Sequence, residues 1–152
     1  MRINHTAVLA RVARVRGHDY TEGFAWACIM PYEQITELPT FGECCAPGYA
    51  TAWLALVAEH VADHTHVTLV LDGPHGRQPT TQHVWCVEAP TSRQLRQVLR
   101  LRPRETWSAW VERKYGVPLV PADQALACAL AVWARKAVRT TEHVTPTKKA
   151  RR

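Results

Sequence analysis

Residues 121–139, PADQALACALAVWARKAVR, constrain the fold more than any other stretch of this chain. Pro121 at a first turn and Lys136 and Arg139 near the end are helix-boundary signals. Between them Ala125, Leu126, Cys128, Ala129, Leu130, Val132 and Trp133 leave almost no polar side. A helix apolar on most of its surface has to be covered on most of its surface, so the pattern predicts a helix at the centre of the core. A chain of 152 residues, 47% hydrophobic and 21% charged, can supply that cover within one domain. No run approaches the roughly 18 uninterrupted apolar residues of a membrane span. Arg11, Arg14 and Arg16 interrupt the apolar N-terminal stretch, which is unlike the continuous core of a secretory signal. The expectation is an intracellular, cytoplasmic protein with no membrane partner. Five cysteines without a CxxC pair argue against a disulfide framework and a zinc ribbon.

Residues 7–15, AVLARVARV, place valines near helical spacing, yet their β-branched content also suits a strand, and both assignments stay open. Residues 24–30, FAWACIM, stop at Pro31 and read as a buried strand. Residues 39–48 read as a loop. Residues 49–64 carry Tyr49, Trp53, Leu56, Val57 and His60 at the spacing of an amphipathic helix. Residues 67–71 predict a strand ended by Asp72, Gly73 and Pro74, and residues 84–87 its hairpin partner. Thr91 or Ser92 can cap a helix bearing Leu95, Val98 and Leu99. Residues 106–115 predict another helix, with Trp107, Trp110 and Val111 on its apolar side and Gly116 closing it. The fold class is α+β: antiparallel strands with helices in the first half and a helical second half. Residues 1–139 make the single domain, and residues 140–152 a flexible basic tail.

The net charge of +6 is unevenly spread. Residues 1–16 carry four arginines and no acid, and residues 17–90 nine acids against Arg77. Residues 91–114 and 115–152 each carry seven bases and two acids, while six of the eight histidines lie in the acidic middle. Two basic flanks suit a polyanionic partner, DNA or RNA. A plain electrostatic binder has no need of the acidic centre, which could equally face the basic segments of its own fold.

Four constellations could carry chemistry. His60 and His64 are four apart on the expected helix, so one face can present both to a divalent metal, with His66 and Asp72 close in sequence. Such an ion activates water or stabilises a leaving oxygen in phosphodiester chemistry. The string DHTHVTLVL resembles the His-hydrophobic-His motif of the rolling-circle Rep, relaxase and small single-strand transposase superfamily. That resemblance implies a nicking enzyme with His64 and His66 as metal ligands and Tyr115 as nucleophile; Thr65 stands where the motif has a hydrophobe. The plainer alternative is a helix end where imidazoles meet unpaired carbonyls.

A cysteine before a helix N-terminus gains thiolate character, and a histidine on a neighbouring strand can serve as its base. The order FGECCAPGYATAWLAL followed by HVWCVE resembles the transglutaminase-like branch of papain-like folds. It implies an acyl-transfer enzyme or hydrolase with Cys44 as nucleophile and His83 as base, Cys45 being the alternative thiol on its place before the helix; the family's third residue, an Asp, has no counterpart. Buried thiols beside a surface histidine are the alternative.

The third constellation is SRQLRQVLRLRPRETWSAWVERKYG, read as helix, short turn, helix. Arg93, Arg96, Arg100, Arg102, Arg104, Arg113 and Lys114 point outward and Leu95, Leu99, Trp107 and Trp110 inward, compatible with a helix-turn-helix on nucleic acid or with a solvated basic face. Finally, Asp123 leads the Ala-rich last helix, and VTLVLD ends in Asp72, a pattern similar to RNase H-like nucleases. That family's first-strand Asp and helix Glu are not found here, and a helix-start acid is the ordinary explanation. The leading expectation is a small nucleic-acid-associated protein, with metal-dependent cleavage as its stronger form. A Cys-His enzyme and a non-catalytic interaction protein are the alternatives.

Overall fold

The segment AVLARVARV lies within a strand, and the reason is that both of its faces are buried. In the computed structural model, which describes residues 6–16, 20–31, 33–45, 55–57, 59, 66–72 and 84–150, β1 (Thr6–Arg16) is the middle strand of five. Val8, Ala10 and Val12 face one layer, and Ala7 and Leu9 the other. A strand covered on both sides shows no polar alternation, so its valines fall at helical spacing by coincidence.

Next come β2 (Tyr20–Ile29), β3 (Thr40–Cys45), β4 (His66–Asp72) and β5 (Val84–Glu88), in the sheet order β3-β2-β1-β4-β5. β2 is antiparallel to both β1 and β3, as expected for the first half. Two expectations are corrected. The expected loop at 39–48 contains β3, because Gly42 is a packing residue and not a breaker: a Cβ there would lie 2.9 Å from Cζ2 of Trp26. Only glycine lets the indole rest on the neighbouring strand. The expected hairpin of β4 and β5 is a parallel pair, and β4 is also parallel to β1. Parallel neighbours require a crossover in place of a reversing turn.

The helices are α1 (Ser92–Val98), α2 (Trp107–Tyr115) and α3 (Ala122–Ala150). Ala125, Ala127, Cys128, Ala129, Leu130, Ala131, Val132 and Ala134 are buried, so α3 occupies the centre that its composition demands, between the sheet and the two shorter helices. It extends beyond the expected end at residue 139 to Ala150. The buried Arg135 ties it to the sheet end, donating to the carbonyls of Ile29 at 3.1 Å and Met30 at 2.9 Å. On the opposite face Phe24, Cys28, Val67, Leu69 and Leu71 pack with Val57. Val57 belongs to the expected 49–64 helix, of which residues 55–57 and 59 are helical and the rest lie outside the described residues. No helix among the described residues is long and apolar enough to cross a membrane.

Candidate nucleic-acid interface

The segment joining α1 to α2 is built from arginines in two structural roles. Thr91 and Gln94 form a capping box at the start of α1, and Leu95 and Leu99 anchor it in the core. At its end Leu101 N–H donates to Arg96 O at 3.0 Å and Arg100 N–H to Gln97 O at 3.2 Å. This is the Schellman pattern, whose left-handed residue is usually glycine; here it is Arg100, at φ +56°. A β-turn follows over residues 102–105, closed by Glu105 N–H on Arg102 O at 3.0 Å. Pro103 occupies its second position and Arg104 its third, at φ +63°. That is the type II arrangement, where glycine or asparagine is normally required.

Arg96, Glu105 and Arg113 hold this loop. Arg96 donates to Glu105 O at 2.7 Å and Arg102 O at 3.0 Å, with its guanidinium 5.9 Å from the centre of the Trp107 ring. Arg113 donates to the Glu105 carboxylate through Nε and Nη2, both at 2.7 Å, and Glu105 Oε1 also accepts from Arg102 N–H at 3.1 Å. The Arg113 fork, with the Arg102 amide adding to it, holds the Glu105 carboxyl down at about 2. Lys114 stands 5.6 Å from the centres of both the Trp110 and Tyr115 rings. Partial burial, followed by the charges of Lys136 and Arg113, lowers its pKa.

The seven basic residues therefore divide. Arg96, Arg113 and Lys114 are engaged within the domain, whereas Arg93, Arg100, Arg102 and Arg104 extend exposed side chains. The short helix-turn-helix turn is corrected as well: α1 and α2 are separated by residues 99–106, and each packs on α3 more than on the other. The Arg-Pro-Arg sequence could have indicated a turn; no local spacing announces Glu105 as its hub.

At the C-terminal end of β4, Asp72 pairs with Val12 of β1, Val12 with Ala25 of β2, and Ala25 with Glu43 of β3. The four share the face beneath α3, since residues two apart on a strand point the same way. Buried Gln124 at the start of α3 donates to Glu43 Oε2 at 3.2 Å, and Asp123 Oδ1 accepts the Gln124 N–H at 2.8 Å. Asp72 and Glu43 are three strand spacings apart, about 14 Å, with valine and alanine between them. Where an RNase H-like centre has its first-strand Asp, no residue of β1 is acidic. These residues do not fit a shared divalent cation, and among the described residues no group of three or more His, Cys, Asp or Glu could hold one.

The remaining candidates are dispersed. His66 and Asp72 begin and end β4, about 20 Å apart at 3.3 Å per residue, so one ion cannot take both. His60 and His64 lie outside the described residues. The Tyr115 hydroxyl donates to Ile35 O at 3.0 Å, and burial pushes its pKa up, which disfavours the phenolate a nucleophile needs. Cys44 and Cys45 end β3 at one sheet edge. His83 lies outside the described residues, but its chain neighbour Val84 opens β5 at the other edge, four spacings or about 19 Å across.

The class defined by this architecture is an α+β domain on a mixed five-stranded sheet, with an acid-led helix packed on one of its faces. No family model matches the chain, and neither does any curated protein. Among solved structures, Thermus thermophilus RuvC aligns with a TM-score of 0.53 at 13% identity, over 89% of this chain and 97% of that one. A chain of the simian T-cell lymphotropic virus intasome in complex with PP2A regulatory subunit B56 gamma aligns at 0.32 and 10% identity, over 84% of this chain and 48% of that one. The second match is too loose to carry an argument. The first shows a shared fold.

Proposed function

We propose that this chain is a DNA-binding domain on a RuvC-like fold, gripping the phosphate backbone through Arg93, Arg100, Arg102 and Arg104. One observation carries the reading: Arg100 and Arg104 occupy backbone positions at φ +56° and +63° where glycine is less strained. A left-handed conformation costs an L-residue about 1–2 kcal/mol, so a sequence that needed only the turns has a cheaper solution. Strain of this kind persists where the surrounding structure over-determines it, and it gathers at ligand clamps and other working sites. Arg96, Glu105 and Arg113 hold the loop backbone, so the points from which Arg100, Arg102 and Arg104 reach outward are set before DNA arrives, which lowers the ordering cost of binding.

The test is fluorescence anisotropy of a labelled duplex over a salt series. Each neutralised phosphate contributes about 0.9 to the slope of log K against log salt. Replacing Arg100, Arg102 and Arg104 together by Ala should lower that slope by about 2.7, or roughly 40-fold in affinity response across a fourfold change in salt. Binding that is absent, or that does not strengthen as salt falls, ends the proposal.

The fold is also compatible with a nucleic-acid nuclease. A second reading, divalent-metal cleavage, is favoured by the place of Asp72 at the end of β4 beside β1. Val12, Ala25 and Gln124 supply no second carboxylate there, so no catalytic step follows from this row. Duplex or branched DNA cut in the presence of Mg²⁺ or Mn²⁺, but not by Asp72→Asn, would establish the second reading; uncut DNA rejects it.

A further inference from the structure

We infer that Gln97 reads a base edge, that of adenine in the major groove of duplex DNA, an inference that rests on the DNA-binding reading above. α1 is fixed to the domain by Leu95 and Leu99, 1% and 7% exposed. At about 100° per residue, Gln97, two positions from each, lies on the side of the helix opposite both. It is exposed, so a partner approaching the outer face of α1 meets Gln97 first.

Position ties this residue to the exposed arginines. Arg93 stands one helical turn before it, about 6 Å along the axis, and Arg100 N–H donates to the Gln97 carbonyl at 3.2 Å. From Ala89 to Arg104 the chain carries five arginines and no acid. The two glutamines of α1 divide as its arginines do. Gln94 is used within the helix, its side-chain oxygen accepting Thr91 N–H at 3.0 Å to complete the capping box. The side-chain amide of Gln97 bonds no described residue, so its donor and its acceptor both stand open to a ligand.

The chemistry of that amide narrows the partner. A neutral group between cations adds little to the hold on phosphate, which charged donors bind more strongly. A carbonyl and an NH2 in one plane match the N6 donor and N7 acceptor of adenine, the pairing by which glutamine reads the major groove. A groove about 12 Å wide admits an α-helix, and the seven residues of α1 fit it. Beside Gln97, Val98 is 43% exposed, an apolar group able to meet a thymine methyl. α2 does not suit the same task. Its exposed positions include Ala109 and Glu112, and Arg113 is held by Glu105; the charge of Glu112 repels phosphate.

The test uses the full chain and a pool of duplexes with randomised central base pairs, from which the bound molecules are sequenced. Wild type is expected to enrich adenine at one position by about 5- to 150-fold, the worth of one bidentate side chain–base pair. Gln97→Ala should fold normally, because the side chain is exposed and alanine favours a helix. It is expected to lose the preference and to keep the salt slope of binding, since no charge is removed. 7-Deazaadenine at the selected position lacks the N7 acceptor; it should weaken binding by wild type and leave binding by Gln97→Ala unchanged, a readout that a merely structural role of Gln97 would not move. Salt-dependent binding without a preference for adenine, a preference retained by Gln97→Ala, or indifference of wild type to 7-deazaadenine overturns base reading and leaves the DNA-binding reading intact. Absence of duplex binding by wild type overturns both.

Discussion

Replacing Val12 by Asp tests whether the sheet row beneath α3 is a carboxylate site lacking its partner. Val12 is 7% exposed and directly pairs with Asp72 on the parallel strand β4, so the new carboxylate would stand about 5 Å from the existing one. Two like charges at that distance repel by about 3 kcal/mol at an effective dielectric constant near 20. For a domain of this size, about 2–4 °C of melting temperature per kcal/mol gives a fall of roughly 6–12 °C. Loss of the buried valine lowers stability as well, so the comparison is with Val12→Asn, which makes the same loss without the charge. The difference between Asp and Asn variants should appear at neutral pH and vanish below about pH 4, where carboxylates take up protons. A divalent cation at about 100 times its Kd should return about 2.7 kcal/mol to the Asp variant. Differential scanning fluorimetry with and without Mn²⁺ reads all of these quantities. If wild type and Val12→Asn gain as much from Mn²⁺ as Val12→Asp, a cation site already exists and the reasoning about the row is wrong. Burial of the new charge adds to the Asp–Asn difference whatever its neighbours, so the cycle is closed on an Asp72→Asn background; if the difference is the same there as with Asp72 present, Asp72 does not face Val12.

Two further outcomes follow from the arginine loop. Arg104→Gly should raise stability by about 0.5–1 kcal/mol, by relieving the left-handed conformation, while weakening DNA binding; chemical denaturation and anisotropy read the two effects separately. Glu105, held at about 2 against an ordinary 4.5, has a depressed folded pKa, so its stabilisation is fully present above pH 4.5 and lost as pH falls towards 2. Melting temperature should decline across that window, and Glu105→Gln should remove this part of the decline; an unchanged acid limb in the variant refutes the Arg113–Glu105 assignment.

What could be read from the sequence was whatever depends on local pattern. The central helix follows from the apolar circumference of residues 125–133, and the end of α2 from Gly116, whose φ of +75° is the expected closing conformation. β3 was missed because Pro39 and Gly42 look like breakers, and only the fold brings Trp26 over Gly42. The direction of β5 was illegible for a related reason. Eleven residues between β4 and β5 fit a long hairpin or a crossover, and the choice rests with the layers above and below the sheet. The same limit governs the candidate sites. His64 with His66 and Cys44 with His83 were linked by spacing or order along the chain, yet Cys44 and Val84 lie on opposite edges of the sheet.

The basic segment shows why composition alone does not distinguish binding residues from structural ones. Arg96 and Arg100 are one helical turn apart, with the same side chain and the same intrinsic attraction for phosphate. The first turns back onto two carbonyls and Trp107, while the second stands outside at a position built for glycine. The division arises because residues 99–106 fold back over Arg96, and Glu105 then engages Arg113 in a two-point ion pair. Positive φ at Arg100, Arg104 and Leu119 clusters around α2 and nowhere else among the described non-glycine residues. A folding compromise and a binding adaptation both predict that glycine at these positions raises stability. They differ in the second measurement: relieving a compromise leaves DNA binding unchanged, whereas glycine in place of a working side chain makes stability and affinity move in opposite directions.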